Sequence, residues 1–182
     1  ATGEGGAVTT NDNALAQRIR KIKNHGSSDK YVHELLGNNS RMPSVIAASL
    51  VVKLKHILSW NELRSRHAET YTRMLRDIPH IEVPLVEPWA KPVWHLYVIH
   101  TKYRDQLSAY LKENGVSTGY HYPTPLHLQN AFKNLKYSKG DFPNSEYNAS
   151  NCLSLPMFAE LQPKQIKKIC HLIKNFMSNE IQ

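Results

Sequence analysis

Pro43-Ser44-Val45-Ile46-Ala47-Ala48-Ser49-Leu50-Val51-Val52 opens the stretch on which the fold turns. From Ser44 to Asp77 no Gly or Pro intervenes, and these 34 residues would span roughly 50 Å as a single helix. Pro43 suits a first helical turn, where a missing N–H costs nothing. The first half, Val45 to Val52, is apolar nearly all round, so it needs cover on more than one side. The second half, Asn61 to Arg76, is amphipathic, with Leu63, His67, Tyr71 and Leu75 on one stripe. A helix that changes character in this way commonly runs from one domain into the next.

Upstream, Asn11 or Asp12 can cap a helix whose apolar stripe is Leu15, Ile19 and Ile22 and which ends before Gly26. Thr2-Gly3-Glu4-Gly5-Gly6-Ala7 reads as a Gly-rich turn into a short strand, Ala7 to Thr10; no Gly-Lys-Ser/Thr follows, so it is not a Walker loop. Gly26 to Gly37 is polar and reads as a loop. A lone strand would leave its amides without ladder partners, so residues 1–42 read as the remnant of a larger sheet domain.

Downstream, Pro79, Pro84, Pro88 and Pro92 punctuate an extended connection, with a boundary near Pro79. Next come a strand (Val93 to His100) and a helix (Tyr103 to Asn114) stopped by Gly115, with Tyr103, Leu107 and Leu111 inward. A strand (Val116 to Tyr122), a Pro/His loop and a short helix (Pro143 to Asn151) follow. The last helix starts near Pro163, with Ile166, Ile169 or Cys170, Ile173 and Phe176 or Met177 inward. The expected organisation is therefore 1–42, a long helix over 43–78, and a small α+β domain over 79–182.

Composition narrows the function. Hydrophobic residues at 41% and charged residues at 21% are globular values and exclude wholesale disorder. No apolar run approaches the ~18–20 residues that cross a bilayer, and the N-terminus has no secretory signal. The chain does not begin with Met, so Ala1 reads as a processed or cut end. Cys152 and Cys170 lack CxxC spacing and read as two buried thiols in a reducing cytoplasm. Ten His residues occur without zinc-ligand spacing, so no metal site is expected. The net charge of +8 permits an anionic partner, or it simply coats the surface. The cations are dispersed, densest at Arg18, Arg20, Lys21 and Lys23, with no aromatic/Gly motif beside them, so nucleic acid and membrane are not expected partners.

Two segments carry candidate chemistry. In Gly37-Asn38-Asn39-Ser40-Arg41-Met42, Asn39 and Arg41 lie just before a helix start, where free N–H groups attract phosphate; the alternative is an Asn-rich turn with a surface Arg. In His121-Tyr122-Pro123-Thr124-Pro125-Leu126-His127, two prolines stiffen a loop bearing two His and one Tyr. These are donors suited to sugar or phosphate oxygens, or structural groups. Trp94 to Ile99 reads as a buried strand. No nucleophile–base pair and no GxSxG elbow is visible, so no catalytic residue is assigned.

Taken in order, TGEGGAV, a helix ending NHG, GNNSRM before an Ala-Ala helix, HLYVI, HYPTPLH and LSLPMF resemble the C-terminal half of the DegT/DnrJ/StrS sugar aminotransferases. The resemblance implies an α/β fold, the C-terminal part of the fold-type I pyridoxal-phosphate-dependent transferases: the end of the large domain, a connecting helix and a small α+β domain. It implies amination of a keto-sugar carried on a nucleotide, most like the members acting on 3-keto sugars, in amino-sugar or surface-polysaccharide synthesis. It makes Asn39, with Arg41 beside it, a contact to the cofactor phosphate of a dimer partner, and it puts His121, Tyr122 and His127 in the substrate pocket. The family's cofactor-anchoring lysine would stand about four residues before Ala1. Lys21, Lys23 and Lys30 all lie after the Gly turn, so this polypeptide alone is expected to be inactive and to bind no cofactor. It is expected to be a homo-oligomer or to pair with a missing N-terminal half. Two other readings are a non-catalytic module for nucleotide-sugar binding or dimerisation, and a nucleic-acid binder supported by charge alone.

Overall fold

The computed structural model describes residues 4–179, which separate into two compact units, 4–57 and 58–179. The division falls between Ile57 and Leu58, ahead of the boundary expected near Pro79.

The first unit is held by local hydrogen bonds. Helix α1 (Asn13–Ile22) is capped by Asp12, whose Oδ1 accepts from the Ala14 and Leu15 amides at 2.8 and 3.1 Å. Arg20 and Lys21 in its last turn suit the negative end of the helix dipole. Beyond α1 the chain doubles back. Asn38 N donates to Ile22 O (2.9 Å), Ser40 N to Lys23 O (2.9 Å) and His25 N to Asn38 O (3.1 Å). This approach needs two glycines. Gly26 has φ +72°, and a Cβ there would lie 1.6 Å from the Leu35 carbonyl oxygen; a Cβ at Gly37 would lie 2.3 Å from Gly26 N. Between them the expected loop contains a small antiparallel hairpin, β1 (Ser27–Asp29) with β2 (Val32–His33). Residues 7–10 form no strand, because nothing in the unit offers them a ladder.

Helix α2 (Ser44–Leu54) follows, then α3 (Ile57–Leu75). The single helix expected over 44–77 is thus two. At the junction Lys55 N and His56 N donate to Val52 O and Lys53 O, a tightened turn that ends α2. No residue of α2 is buried, and Val45, Val51, Val52 and Leu54 are more than half exposed.

The second unit has a core. Strands β3 (Tyr97–His100) and β4 (Cys152–Leu155) pair antiparallel, Tyr97 opposite Leu155 and His100 opposite Cys152. Single bridges flank them, Glu82 beside His100 and Gly119 beside Ser154. The strand expected over 116–122 is therefore one bridge, and β4 is an element the sequence reading lacked. Helix α4 (Arg104–Glu113) stops at Gly115, whose φ is +76°. Helices α5 (Pro143–Asn151) and α6 (Pro163–Asn179) complete the unit.

In this unit the helices bury most of the stripes expected of them, with Tyr103 only partly buried; the expected α1 stripe of Leu15, Ile19 and Ile22 is not buried. Tyr71 and Leu75 of α3, Leu107 and Leu111 of α4, and Ile166, Ile169, Cys170, Ile173, Phe176 and Met177 of α6 all enter the core, while Leu63 remains partly exposed. Tyr71 and Tyr97 stack with centroids 4.9 Å apart. Each hydroxyl is satisfied: Tyr71 Oη donates to Pro156 O (3.0 Å), and Tyr97 Oη meets Thr72 Oγ1 (2.7 Å). Burial raises both phenols, Tyr97 to about 12, and it raises the Cys170 thiol to about 12. Cys152 and Cys170 are free and buried.

Candidate functional site

Each unit carries one candidate cluster. In the first, the doubled-back segment delivers Asn39 and Arg41 to the start of α2, where Arg41 Nε donates to Asn39 Oδ1 at 2.9 Å. Both residues are exposed. Pro43 occupies the cap position, no side chain caps the first turn of α2, and no acidic residue lies there. Open first-turn amides, a guanidinium and an amide make a donor set that fits a phosphate group. The resemblance assigns them that ligand.

In the second unit the two prolines and two short 3₁₀ turns (Leu126–Leu128 and Asn130–Leu135) carry the loop across α5. The three side chains expected together go three ways. His121 Nδ1 meets Ser154 Oγ at 2.8 Å, tying the loop to β4. Tyr122 is 73% exposed and is among the residues lining a cavity of about 490 Å³. His127 turns inward, its side chain only 7% exposed, and Nε2 meets Glu146 Oε1 at 3.0 Å. Its ring packs 4.8 Å from that of Phe142.

Glu146 is the organising residue here, and the sequence reading missed it. Its Oε1 also accepts from Gly140 N at 2.7 Å, so one carboxylate on α5 gathers both ends of the 127–140 segment. The Gly140 amide, with His127 adding to it, holds the Glu146 carboxyl below the ordinary Glu range. The available signal was its place in the first turn of a helix opened by Pro143, where a carboxylate is favoured. Arg104 is a second missed residue. Its guanidinium donates to Asp105 Oδ1 (2.8 Å), also bonds Ala149 O, and lies 4.6 Å from the centroid of the Tyr120 ring.

Among the described residues no group of three or more His, Cys, Asp or Glu is placed to hold a metal ion, and no helix is long and apolar enough to cross a membrane.

The architecture is the C-terminal part of the fold-type I pyridoxal-phosphate-dependent transferase fold, of α/β class. The crystal structure of DesV from S. venezuelae superposes with a TM-score of 0.90 at 37% identity, over 93% of this chain and 46% of that one. The model of the DegT/DnrJ/EryC1/StrS aminotransferase family matches residues 1–174, and the chain belongs to that family. It is 44% identical over 174 residues to the erythromycin biosynthesis sensory transduction protein EryC1 of Saccharopolyspora erythraea, covering 96% of this chain and 48% of that protein. It is 39% identical to the dTDP-3-amino-3,4,6-trideoxy-alpha-D-glucose transaminase of Streptomyces venezuelae, covering 96% and 46% respectively. The chain spans about half the length of the curated relatives it matches.

Proposed function

We propose that the protein carrying these residues transfers an amino group, from glutamate by family analogy, to a nucleotide-linked keto-sugar, for amino-sugar or surface-polysaccharide synthesis. The observation that carries this reading is the family match over residues 1–174, joined to 39% identity with a transaminase of a dTDP-linked sugar. Pyridoxal phosphate, when bound, supplies the electron sink that lets an amine nitrogen change carbon.

In this reading Asn39 and Arg41, with the open amides of α2, hold the phosphate of a cofactor seated in a second subunit. His121 and Tyr122 meet the sugar or its pyrophosphate. His127 serves the same pocket by fixing the loop through Glu146. Residues 1–42 are the end of the cofactor domain, 43–78 the connecting and dimer-forming helical segment, and 79–182 the small domain. The exposed apolar residues of α2 support a homo-oligomer, because isolated apolar surface of that kind favours association. The two free, buried thiols fit a reducing cytoplasm.

No lysine of the 182 residues precedes the Gly turn. We therefore assign covalent attachment of the cofactor to residues outside them, and expect neither turnover nor a held cofactor from this polypeptide alone. Borohydride treatment with pyridoxal phosphate should leave no stoichiometric adduct; an adduct on one defined lysine would overturn the assignment. A family N-terminal half supplied in trans, with cofactor, glutamate and a dTDP-linked 3-keto-sugar, should yield an amino-sugar by mass spectrometry. A second reading, a non-catalytic nucleotide-sugar-binding or dimerisation module, draws support from a relative named for sensory transduction. Ligand binding without turnover in the reconstituted sample would favour it.

A further inference from the structure

From Leu128 to Ser145 every residue is exposed, while the side chains that bracket this run, His127 and Glu146, are only 7% and 16% exposed. No residue of the run belongs to the core cluster of the second unit. The run packs on itself instead. The Phe142 ring centroid lies 4.8 Å from that of His127 and 5.0 Å from that of Tyr137, edge to face with the latter. Together with Phe132 and Leu135 these rings line a cavity of about 330 Å³. A loop whose ends meet and whose own side chains pack together is a compact piece of structure in its own right.

The hydrogen bonds divide in the same way. Phe132 N donates to Gln129 O (2.9 Å), Lys136 N to Lys133 O (3.2 Å), Asp141 N to Ser138 O (3.2 Å) and Ser138 N to Asp141 Oδ2 (2.8 Å), all within the loop. The ties to α5 converge on one carboxylate. Glu146 Oε1 meets both His127 Nε2 (3.0 Å) and Gly140 N (2.7 Å), and the Phe142 amide also favours its ionised form. Bonds to an ionised acceptor are stronger than bonds between neutral groups, so this one side chain holds both ends of the loop. Little else opposes opening, because the loop buries nothing in the core. Leu126 and Ser145 line both the 330 Å³ cavity and the one of about 490 Å³ that Tyr122 lines, and so partition the two.

We infer that residues 127–142 form a flap that opens as one unit, with the Glu146 carboxylate as its latch, and that opening makes the two cavities continuous. Glu146 is a positioning residue, acting through His127 and Gly140. The inference goes beyond the transaminase reading and does not depend on it, since it concerns the conformations of this chain itself.

The test compares the 182-residue chain with Glu146→Ala, Glu146→Gln and His127→Phe by amide hydrogen exchange, read by NMR. In the parent, the amides of Phe132, Lys136, Ser138 and Gly140 should share one protection factor, on the order of a hundredfold below those of β4 and α6. Glu146→Ala should speed all four by a common factor of about tenfold or more, the size expected for a hydrogen bond to a charged group. Glu146→Gln keeps an acceptor oxygen without the charge and should fall between Glu146→Ala and the parent. His127→Phe keeps a ring in the apolar packing, loses the donor, and should speed the same four amides. Trypsin gives an independent reading, because Lys133, Lys136 and Lys139 all lie exposed in the flap. Cleavage there, followed by mass spectrometry, should quicken in Glu146→Ala by the factor seen in exchange, while cleavage after Lys112 of α4 keeps the parent rate. Acceleration at Gly140 alone would make Glu146 a local contact and overturn the latch. Equal acceleration in β4 and α6 would make the loop part of the core's own unfolding and overturn the flap. Parent-like exchange in all three variants would overturn both.

Discussion

The two units of this chain are folded by different means. In residues 4–57 the only buried residue is Gly26, and order comes from a capped helix, two close-approach glycines and backbone bonds between residues 22–25 and 38–40. In the unit from Leu58 onward, nineteen buried apolar residues form one cluster spanning Ala68 to Met177. Local hydrogen bonds specify a conformation but contribute little net free energy, whereas apolar burial contributes most of a domain's stability. The difference teaches that the first unit has its geometry written in local bonds, while the second is specified by apolar burial.

Amide hydrogen exchange puts the sharpest strain on this comparison. Amides of α1, β1 and α2 in the monomeric chain should exchange faster than those of β3, β4 and α6 by on the order of a thousandfold or more, since a coreless segment opens at little cost while core strands open only globally. Comparable protection in both units would break the contrast outright. Next in size, Leu107→Ala removes a fully buried side chain from the cluster and should cost about 3 kcal/mol in urea unfolding of the second unit. A loss under 1 kcal/mol would mean the core reorganises freely.

How much of this was readable beforehand differs between the units for the same reason. In the second, the 3.6-residue spacing of Leu107 with Leu111, and of Ile166 through Met177, reports burial directly, because those helices lie on a core. Strand β4 escaped because Cys152–Leu155 is buried at every position and follows α5 with no turn residue between them. In the first unit, periodicity had no core to report. A cap at Asn11 or Asp12 and a helix end before Gly26 were legible from residue type, while the close approaches at Gly26 and Gly37 and the β1–β2 hairpin were not, since the segment's polar residues carry no alternation. The break between α2 and α3 leaves no Gly or Pro signal at Lys55 or His56. At the candidate site, the clustering of His and Tyr marked the loop. Nothing in the sequence told that His127 would face Glu146, because that pairing joins residues nineteen apart through the path of the loop.

A third prediction concerns alkali. The Cys170 thiol, ordinarily near 9.0, is raised by burial to about 12, and Tyr97 from 10.0 to about 12. A folded-state value above the unfolded one means the unfolded chain releases its proton first. The stabilisation is complete below about pH 9 and is lost as pH climbs toward 12. Tyr71 is raised by burial as well, so the second unit should lose on the order of 5 kcal/mol or more over that window, with a slope that Cys170→Ala reduces and that Tyr71 and Tyr97 keep from vanishing. Circular dichroism of the first unit should not follow the same curve, because none of these groups lies in it. A flat profile between pH 9 and 11 would contradict the burial assigned to these groups.

The smallest effect is also the most discriminating. Asp12 is exposed and serves α1 only through the two amides it accepts from. Asp12→Ala should cost about 1 kcal/mol of helix stability. Because α1 has no buried residue to couple that loss to a core, it should appear as faster amide exchange and weaker helical Cα shifts over Asn13–Ile22. The urea midpoint of the second unit should stay where it was. If Asp12→Ala instead lowers that midpoint, the two units unfold as one, and the first is stabilised by more than its own local bonds. If α1 is unaffected, the cap is not what starts it, and the burden passes to the glycine-dependent return of residues 24–40 along its C-terminal turn.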